Sequence, residues 1–315
     1  MLDDQEIFRV LIQKTAEYKH IPEKAVLKDF FICQILSKLS SSFYKEEIVF
    51  KGGTSLSKCY PGTVERFSED IDLTYIPSQG ESSKEIGRKL KRIEDFLASG
   101  LNMEKVAAER SDRNKSAYIW NQELGEDCRV KLEIGSSVRP EPYSCFRVKA
   151  YLREYLETVD KEIGENYILQ YDLIEFDVNV LNIERTFMDK VFAIKRHTLE
   201  GSIVRKARHL YDVVQLWQSE HIQSLILDKA ELLKLIQLIK TTDAEYLSGK
   251  RECRYYDPQE PFGYKNWQSS LNIAKLKDSY EKLHLDLLYT DDVQKFEDAL
   301  EVMEKIGSLF DEIGE

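Results

Sequence analysis

Asp70 and Asp72 stand two residues apart in Asp-Ile-Asp-Leu-Thr-Tyr-Ile76, a run whose other positions suit a buried strand. Strand side chains alternate, so both carboxylates leave one face about 6.5–7 Å apart while Ile71 and Leu73 point into the core. Two acids aimed at one region repel unless something positive lies between them. A divalent cation meets that need, and oxygen-only ligands favour Mg2+ or Mn2+. The constraint reaches back along the chain. Ile48-Val-Phe50 reads as a short buried strand that runs through Lys51 into Gly52-Gly53, with a helix from Thr54 to Tyr60. Glycines there let backbone N–H groups approach a phosphate closely, and a helix N-terminus adds partial positive charge. A Gly-Gly pair alone is weak evidence; joined to Asp-x-Asp it points to phosphate chemistry.

A two-ion site, with ions about 3.5–4 Å apart, needs a third acid. In Cys128-Arg-Val-Lys-Leu-Glu-Ile134 the apolar positions alternate with Arg129, Lys131 and Glu133, so Glu133 projects from the face opposite the core. It is the candidate. The plain alternative is an exposed acid paired with Lys131. Asp172, Glu175 and Asp177 compete more weakly from a later strand.

Length sets the scale: 315 residues predict two domains, at roughly 150 residues each. With 42% apolar and 32% charged residues, the chain is globular with ample core. No apolar run approaches the ~20 residues that span a bilayer. The acidic start, Met1-Leu-Asp-Asp4, lacks a signal pattern, so a cytoplasmic protein with no membrane partner is expected. Five scattered cysteines with no C-x-x-C pair exclude a zinc ribbon and a disulfide framework. Residues 291–315 hold nine acids and two lysines, a net of −7; set against the overall −11, this leaves −4 for the rest. Basic islands lie in that remainder, among them Lys195, Arg196, Arg205, Lys206 and Arg208, and local positive surface on an acidic protein still attracts phosphate. The acidic segment itself predicts either a helix capping its lobe or a charge mimic of RNA.

Helical spacing appears at 4–18, from Pro22 to Leu39, and at 84–97. A hairpin is expected from Ser116–Asn121 and Cys128–Ile134, a helix at 151–157, and an alternating strand-rich stretch over 168–180. After Glu184 every segment reads as helix. Two lobes follow: an α/β (α+β) lobe over residues 1–183 and an all-helical lobe over 184–315.

Gly52-Gly53-Thr54 with Arg66-Phe67-Ser68-x-Asp70-Ile71-Asp72-Leu73 resembles the signature of the AbiEii/AbiGii-type nucleotidyltransferase toxins of the DNA polymerase β-like superfamily, known from abortive-infection and type IV toxin–antitoxin systems. Lys28-Asp29-Phe30, Val130–Ile134, Glu184–Lys190, Arg208–Asp212 and Leu276–Tyr280 agree with it, so the resemblance spans residues 23–290. It implies a nucleotidyltransferase-like mixed sheet with flanking helices, an NTP substrate, an RNA acceptor (the 3′ end of tRNA) and a cognate antitoxin. It also implies roles. Asp70, Asp72 and Glu133 hold metal, Lys190 contacts the triphosphate, and Asp212 is the acid of the last motif. Lys51, Gly52, Gly53, Thr54, Ser68 and Arg208 complete the nucleotide site. The residues themselves agree in part: Lys190 is either snorkelling from the core or reaching a polyanion, and Arg205, Arg208 and Asp212 fall on one face of a helix. Two other functions stay open. The same site could transfer a nucleotide onto protein, or a degenerate fold could bind RNA or a partner without catalysis.

Overall fold

Ile48-Val-Phe50, apolar throughout, becomes β1 (Ile48–Lys51), whose first three residues are buried, and the sheet forms around it. The computed structural model describes residues 4–66, 68–125, 128–137, 139–247, 253–286, 288 and 293–315. Phe67 of the motif, Asp291 and Asp292 of the acidic segment, and the His284 side chain lie outside the described residues. Two compact units emerge, residues 1–59 with 67–181 and residues 60–66 with 182–315. Residues 60–66, expected in the first lobe, thus cluster with the second.

The first unit carries a mixed sheet of seven strands in the order β3-β4-β5-β2-β1-β7-β6. Besides β1 these are β2 (Asp70–Tyr75), β3 (Asn102–Lys105), β4 (Asn114–Trp120), β5 (Val130–Gly135), β6 (Tyr143–Val148) and β7 (Phe176–Leu181). β2 runs antiparallel to β1 and parallel to β5, and β4 and β5 form the expected antiparallel pair. Its α-helices, among the described residues, are α1 (Asp4–Lys19), α2 (Glu23–Ser40), α3 (Gly52–Cys59), α4 (Ser83–Leu97), α5 (Tyr151–Leu156) and α6 (Lys161–Gln170).

Helix α4 opens on a capping box: Ser82 Oγ accepts from the Glu85 N–H while the Glu85 carboxylate accepts from the Ser82 N–H. Its buried stripe, Ile86, Leu90, Ile93 and Leu97, lies against β4 and β5. There it meets Ala117, Ile119, Val130, Leu132 and Ile134, all buried. Glu94 of α4, fully buried, takes both Arg110 guanidinium nitrogens at 2.5 and 2.6 Å, and Arg110 also donates to the Ser116 carbonyl at 2.8 Å. A second buried pair locks α2 to α3. Asp29 accepts from Lys58 at 2.5 Å and from the Tyr151 N–H at 2.7 Å, and the Lys58 ammonium sits 4.0 Å from the Tyr151 ring centroid.

The alternation expected over 168–180 is corrected. Residues 161–170 are helix α6, started by Asp160, whose carboxylate accepts from the Glu162 and Ile163 N–H groups. Only Gly164 of this helix is buried, so no apolar stripe announced it. The strand itself is confined to β7. The edge strands β3 and β6 were absent from the sequence reading because both are largely exposed and show no clean alternation.

The second unit is helical: α7 (Ile183–Leu199), α8 (Ala207–Trp217), α9 (Glu220–Leu227), α10 (Lys229–Tyr246), α11 (Ala274–Asp286) and α12 (Phe296–Glu312). Phe262 lies at its centre, edge-on to Phe192, Trp267 and Phe310 with centroids 5.6, 5.3 and 4.6 Å away. Helix α12 buries Phe296, Ala299, Met303, Ile306 and Phe310, and it packs on α8. That is the capping arrangement; its acids occupy the other side. The described part of the chain has no helix long and apolar enough to cross a membrane.

Asp29→Ala would leave the Lys58 ammonium, 3% exposed, without its counter-charge. The expected cost is about 3–5 kcal/mol in urea unfolding, with most of it recovered when Asp29→Leu is combined with Lys58→Met.

Candidate active site

The register of the central strands decides which side chains share a face. Asp72 lies opposite Lys51 of β1 on one side and Glu133 of β5 on the other, and Glu133 lies opposite Ser116 of β4. Asp70 lies opposite Lys131. A row Lys51–Asp72–Glu133–Ser116 therefore crosses four strands, with Asp70 and Lys131 one pleat away on the same face. Val130, Leu132 and Ile134 are buried and Lys131 and Glu133 half-exposed, the alternation expected for β5.

Gly52 ties the glycine pair to the acids. Its φ is +87°, and a Cβ there would stand 2.2 Å from Asp72 Oδ2. The Asp72 carboxylate thus rests against the first residue of α3, where the amide dipoles present positive charge. The helix begins at Gly52, two residues earlier than expected. Thr54 is buried and donates its hydroxyl to the Asp70 carbonyl at 2.5 Å, so it fixes the backbone between the two acids and α3. Gly53 is buried beside it, and Lys51 and Ser68 are half-exposed.

Three acids share this face, but their side chains are not drawn together. Glu133 pairs with Lys131, whose ammonium also contacts Glu109 at 2.6 Å. Burial would lower the Lys131 ammonium, but the hydrogen bonds it donates to Glu109 and Glu133 outweigh it and raise it above its usual value. Among the described residues no three His, Cys, Asp or Glu side chains are grouped closely enough to hold a metal ion. The candidate donors are all carboxylate oxygens, the type a hard divalent cation takes, and Asp72 is held in the cradle left by the missing Gly52 side chain. Glu133, the third candidate, is paired with Lys131 instead.

Lys190 and Asp212 meet in the second unit. Asp212 of α8 is fully buried and accepts from Arg66 Nε and Nη2 at 2.5 and 2.7 Å, while Lys190 Nζ of α7 lies 2.7 Å from its Oδ2. Burial would raise the Asp212 carboxyl, but Arg66 and Lys190 overcome it and hold it well below the usual carboxylate range. Burial lowers the Lys190 ammonium despite the pull of Asp212, and Arg66 adds to the lowering. For Lys190 to meet a phosphate, its ammonium must first leave Asp212. Arg66 was quoted only as part of the motif; nothing in the sequence marks its partner 146 residues away. Of the helical face expected to hold Arg205, Arg208 and Asp212, α8 keeps Arg208 and Asp212 four residues apart, and only Arg205 falls outside it. Residues 203–206 wind as a tighter 3-10 turn, which leaves Arg205 exposed, Arg208 half-buried and Asp212 inside.

Other partners of the motif were also hidden in the sequence. Lys28 of α2, 4% exposed, pairs with Glu69 at 2.6 Å, immediately before Asp70.

Residues 34–302 match the family model described as nucleotidyl transferase AbiEii toxin, type IV TA system. The protein is thus a nucleotidyltransferase. It belongs to the AbiEii toxin family of type IV toxin–antitoxin systems, so NTP and an antitoxin are its partners by class. No curated protein matches the chain significantly. Among solved structures, MenT4, a nucleotidyltransferase toxin from Mycobacterium tuberculosis H37Rv, is 16% identical over 96% of this chain and 98% of its own, with a TM-score of 0.49. An H. pylori protein described as a nucleotidyltransferase is 16% identical over 93% and 96%, at 0.42. JHP933 from Helicobacter pylori is 14% identical over 99% and 93%, at 0.36. The assignment rests on the family match.

Gly80 shares the φ of Gly52, +87°, but has nothing within 4 Å of an added Cβ. Gly80→Ala should cost only the left-handed strain, about 1–2 kcal/mol. Gly52→Ala should cost more in thermal unfolding, and it alone should impair nucleotide transfer. Arg66→Ala leaves Asp212 buried with a single cation, at an expected cost of about 3–5 kcal/mol near neutral pH. The pairing contributes fully above the ordinary carboxylate range and is lost as pH falls through the depressed value, so acid unfolding of this variant should begin at higher pH than in the wild type.

Proposed function

We propose that this nucleotidyltransferase moves a nucleoside monophosphate from an NTP to a hydroxyl of RNA, at the 3′ end of tRNA, with Mg2+ or Mn2+ at Asp70, Asp72 and Glu133. One observation carries the reading: Asp72 stands in register with Glu133 and rests against Gly52, so the acids and the start of α3 address one place. When bound, the cation supplies positive charge where the transition state gathers negative charge. The chain's own groups do the rest. Backbone N–H groups of Gly52 and Gly53 at the start of α3, with Lys51 one residue earlier on β1, hold the β- and γ-phosphates. Thr54 keeps the Asp70 backbone fixed to that helix. The acceptor oxygen forms a bond to the α-phosphorus as the bond to the β-phosphate oxygen breaks, and pyrophosphate leaves. The hydroxyl proton passes to a carboxylate oxygen on the Glu133 side, opposite the leaving group. Blocking a tRNA end would stop charging and arrest growth, an outcome suited to a toxin.

Incubation with each of the four labelled NTPs and bulk tRNA tests this. Label should enter RNA with the wild type, and Asp72→Asn should lower the rate about a thousandfold. Its thermal stability should not fall, since it removes one of two repelling acids. Label entering protein instead of RNA would redirect the acceptor assignment, and full activity in Asp72→Asn would refute the site.

A further inference from the structure

Beside the acids, the same sheet face carries two aromatic side chains that the reaction described above leaves unused. Tyr118 of β4 lies opposite Lys131, which lies opposite Asp70. Two interstrand spacings separate them, so Tyr118 stands about 10 Å from Asp70, backbone to backbone. Trp120 follows two residues along β4 on the same face, about 6.5–7 Å further. The Arg129 guanidinium lies over both rings, 4.4 Å from the Tyr118 centroid and 5.1 Å from that of Trp120, and is held there by Glu104. Tyr118 is 37% exposed, and Trp120 and Arg129 are half-exposed.

We infer that Tyr118, Trp120 and Arg129 form a stacking platform for unpaired bases of the acceptor strand. The inference rests on the proposed transfer reaction and adds where its acceptor lies. Rings at alternate positions of one strand, bridged by a guanidinium plane, offer successive stacking surfaces to a single strand, whereas paired bases are already stacked on each other. The order across the sheet selects the acceptor over the donor. Gly52-Gly53 and Lys51 stand on the β1 side of Asp72, where the leaving pyrophosphate is held. An in-line attack enters from the opposite side, past Glu133, and β5 and β4 lie there with the platform. Charge agrees with stacking as the main attraction: Arg129 and Lys131 are each compensated by acids, so the surface recognises bases more than phosphates.

The test uses the full chain and a fluorescein-labelled short single-stranded oligoribonucleotide, followed by anisotropy at one fixed salt concentration without NTP. Tyr118→Ala and Trp120→Ala should each weaken binding roughly tenfold, whereas Tyr118→Phe and Trp120→Phe, which keep a ring, retain most of it. In transfer assays the KM for RNA should rise in the alanine variants and the KM for NTP should not. Wild-type affinity in both alanine variants overturns the inference. So does equal loss in the phenylalanine variants, a rise in the KM for NTP alone (which would place the donor base there), or no oligonucleotide binding by the wild type. Asp72→Asn separates the two claims. Retained transfer in that variant defeats the reaction, while its oligonucleotide affinity still reports on the platform.

Discussion

Two carboxylates forced onto one face of one strand are the constraint on which the first unit turns. At about 6.5 Å and an effective dielectric near 20, their repulsion is roughly 2–3 kcal/mol. The surrounding structure answers it on each side. The start of α3 lies against Asp72, Lys51 stands opposite Asp72, and Lys131 stands opposite Asp70. Thr54 and Lys28 then pin the strand entry through the Asp70 carbonyl and Glu69. The proposed metal site rests on that same face, where a cation between the carboxylates would offset their repulsion.

Buried ion pairs are the second theme. Asp29–Lys58 and Glu94–Arg110 in one unit, and Arg66–Asp212–Lys190 in the other, each place a carboxylate of at most 8% side-chain exposure against a cation. Such pairs contribute little net stability compared with apolar replacements, but they are costly to break singly. Each joins segments distant in sequence, and a mispacked alternative would strand a charge. They fix which segments meet more than they add to the depth of the native state.

That distinction explains what the sequence disclosed. Asp-x-Asp, the alternation of β5 and the stripe of α4 are local patterns, and each reached the structure with boundaries shifted by a residue or two. The closeness of Gly52 to Asp72 was implied by the motif but only the strand register makes it explicit. The partners of Arg66, Lys28 and Lys58 could not be read, because a salt bridge between distant residues leaves no periodicity. Helix α6 and strands β3 and β6 escaped for a different reason: exposed elements bury too little to impose an apolar pattern. Lys190 was legible as a buried-stem lysine, yet its ammonium proved to be held by Asp212, an outcome that spacing alone could not choose.

The same register also gives the face a direction. Asp70, Asp72 and Glu133 sit on strands flanked by neighbours on both sides, where ladder hydrogen bonds hold the backbone to small displacements. Towards β1 the next groups are backbone amides and a lysine, suited to a compact and highly charged leaving group. Towards β4 they are rings and a guanidinium, suited to the flat face of a base. The proposed transfer, in which pyrophosphate leaves the NTP as an acceptor hydroxyl attacks, would use both characters on opposite sides of one rigid centre. A sheet supplies them by strand order alone, with no rearrangement of its backbone.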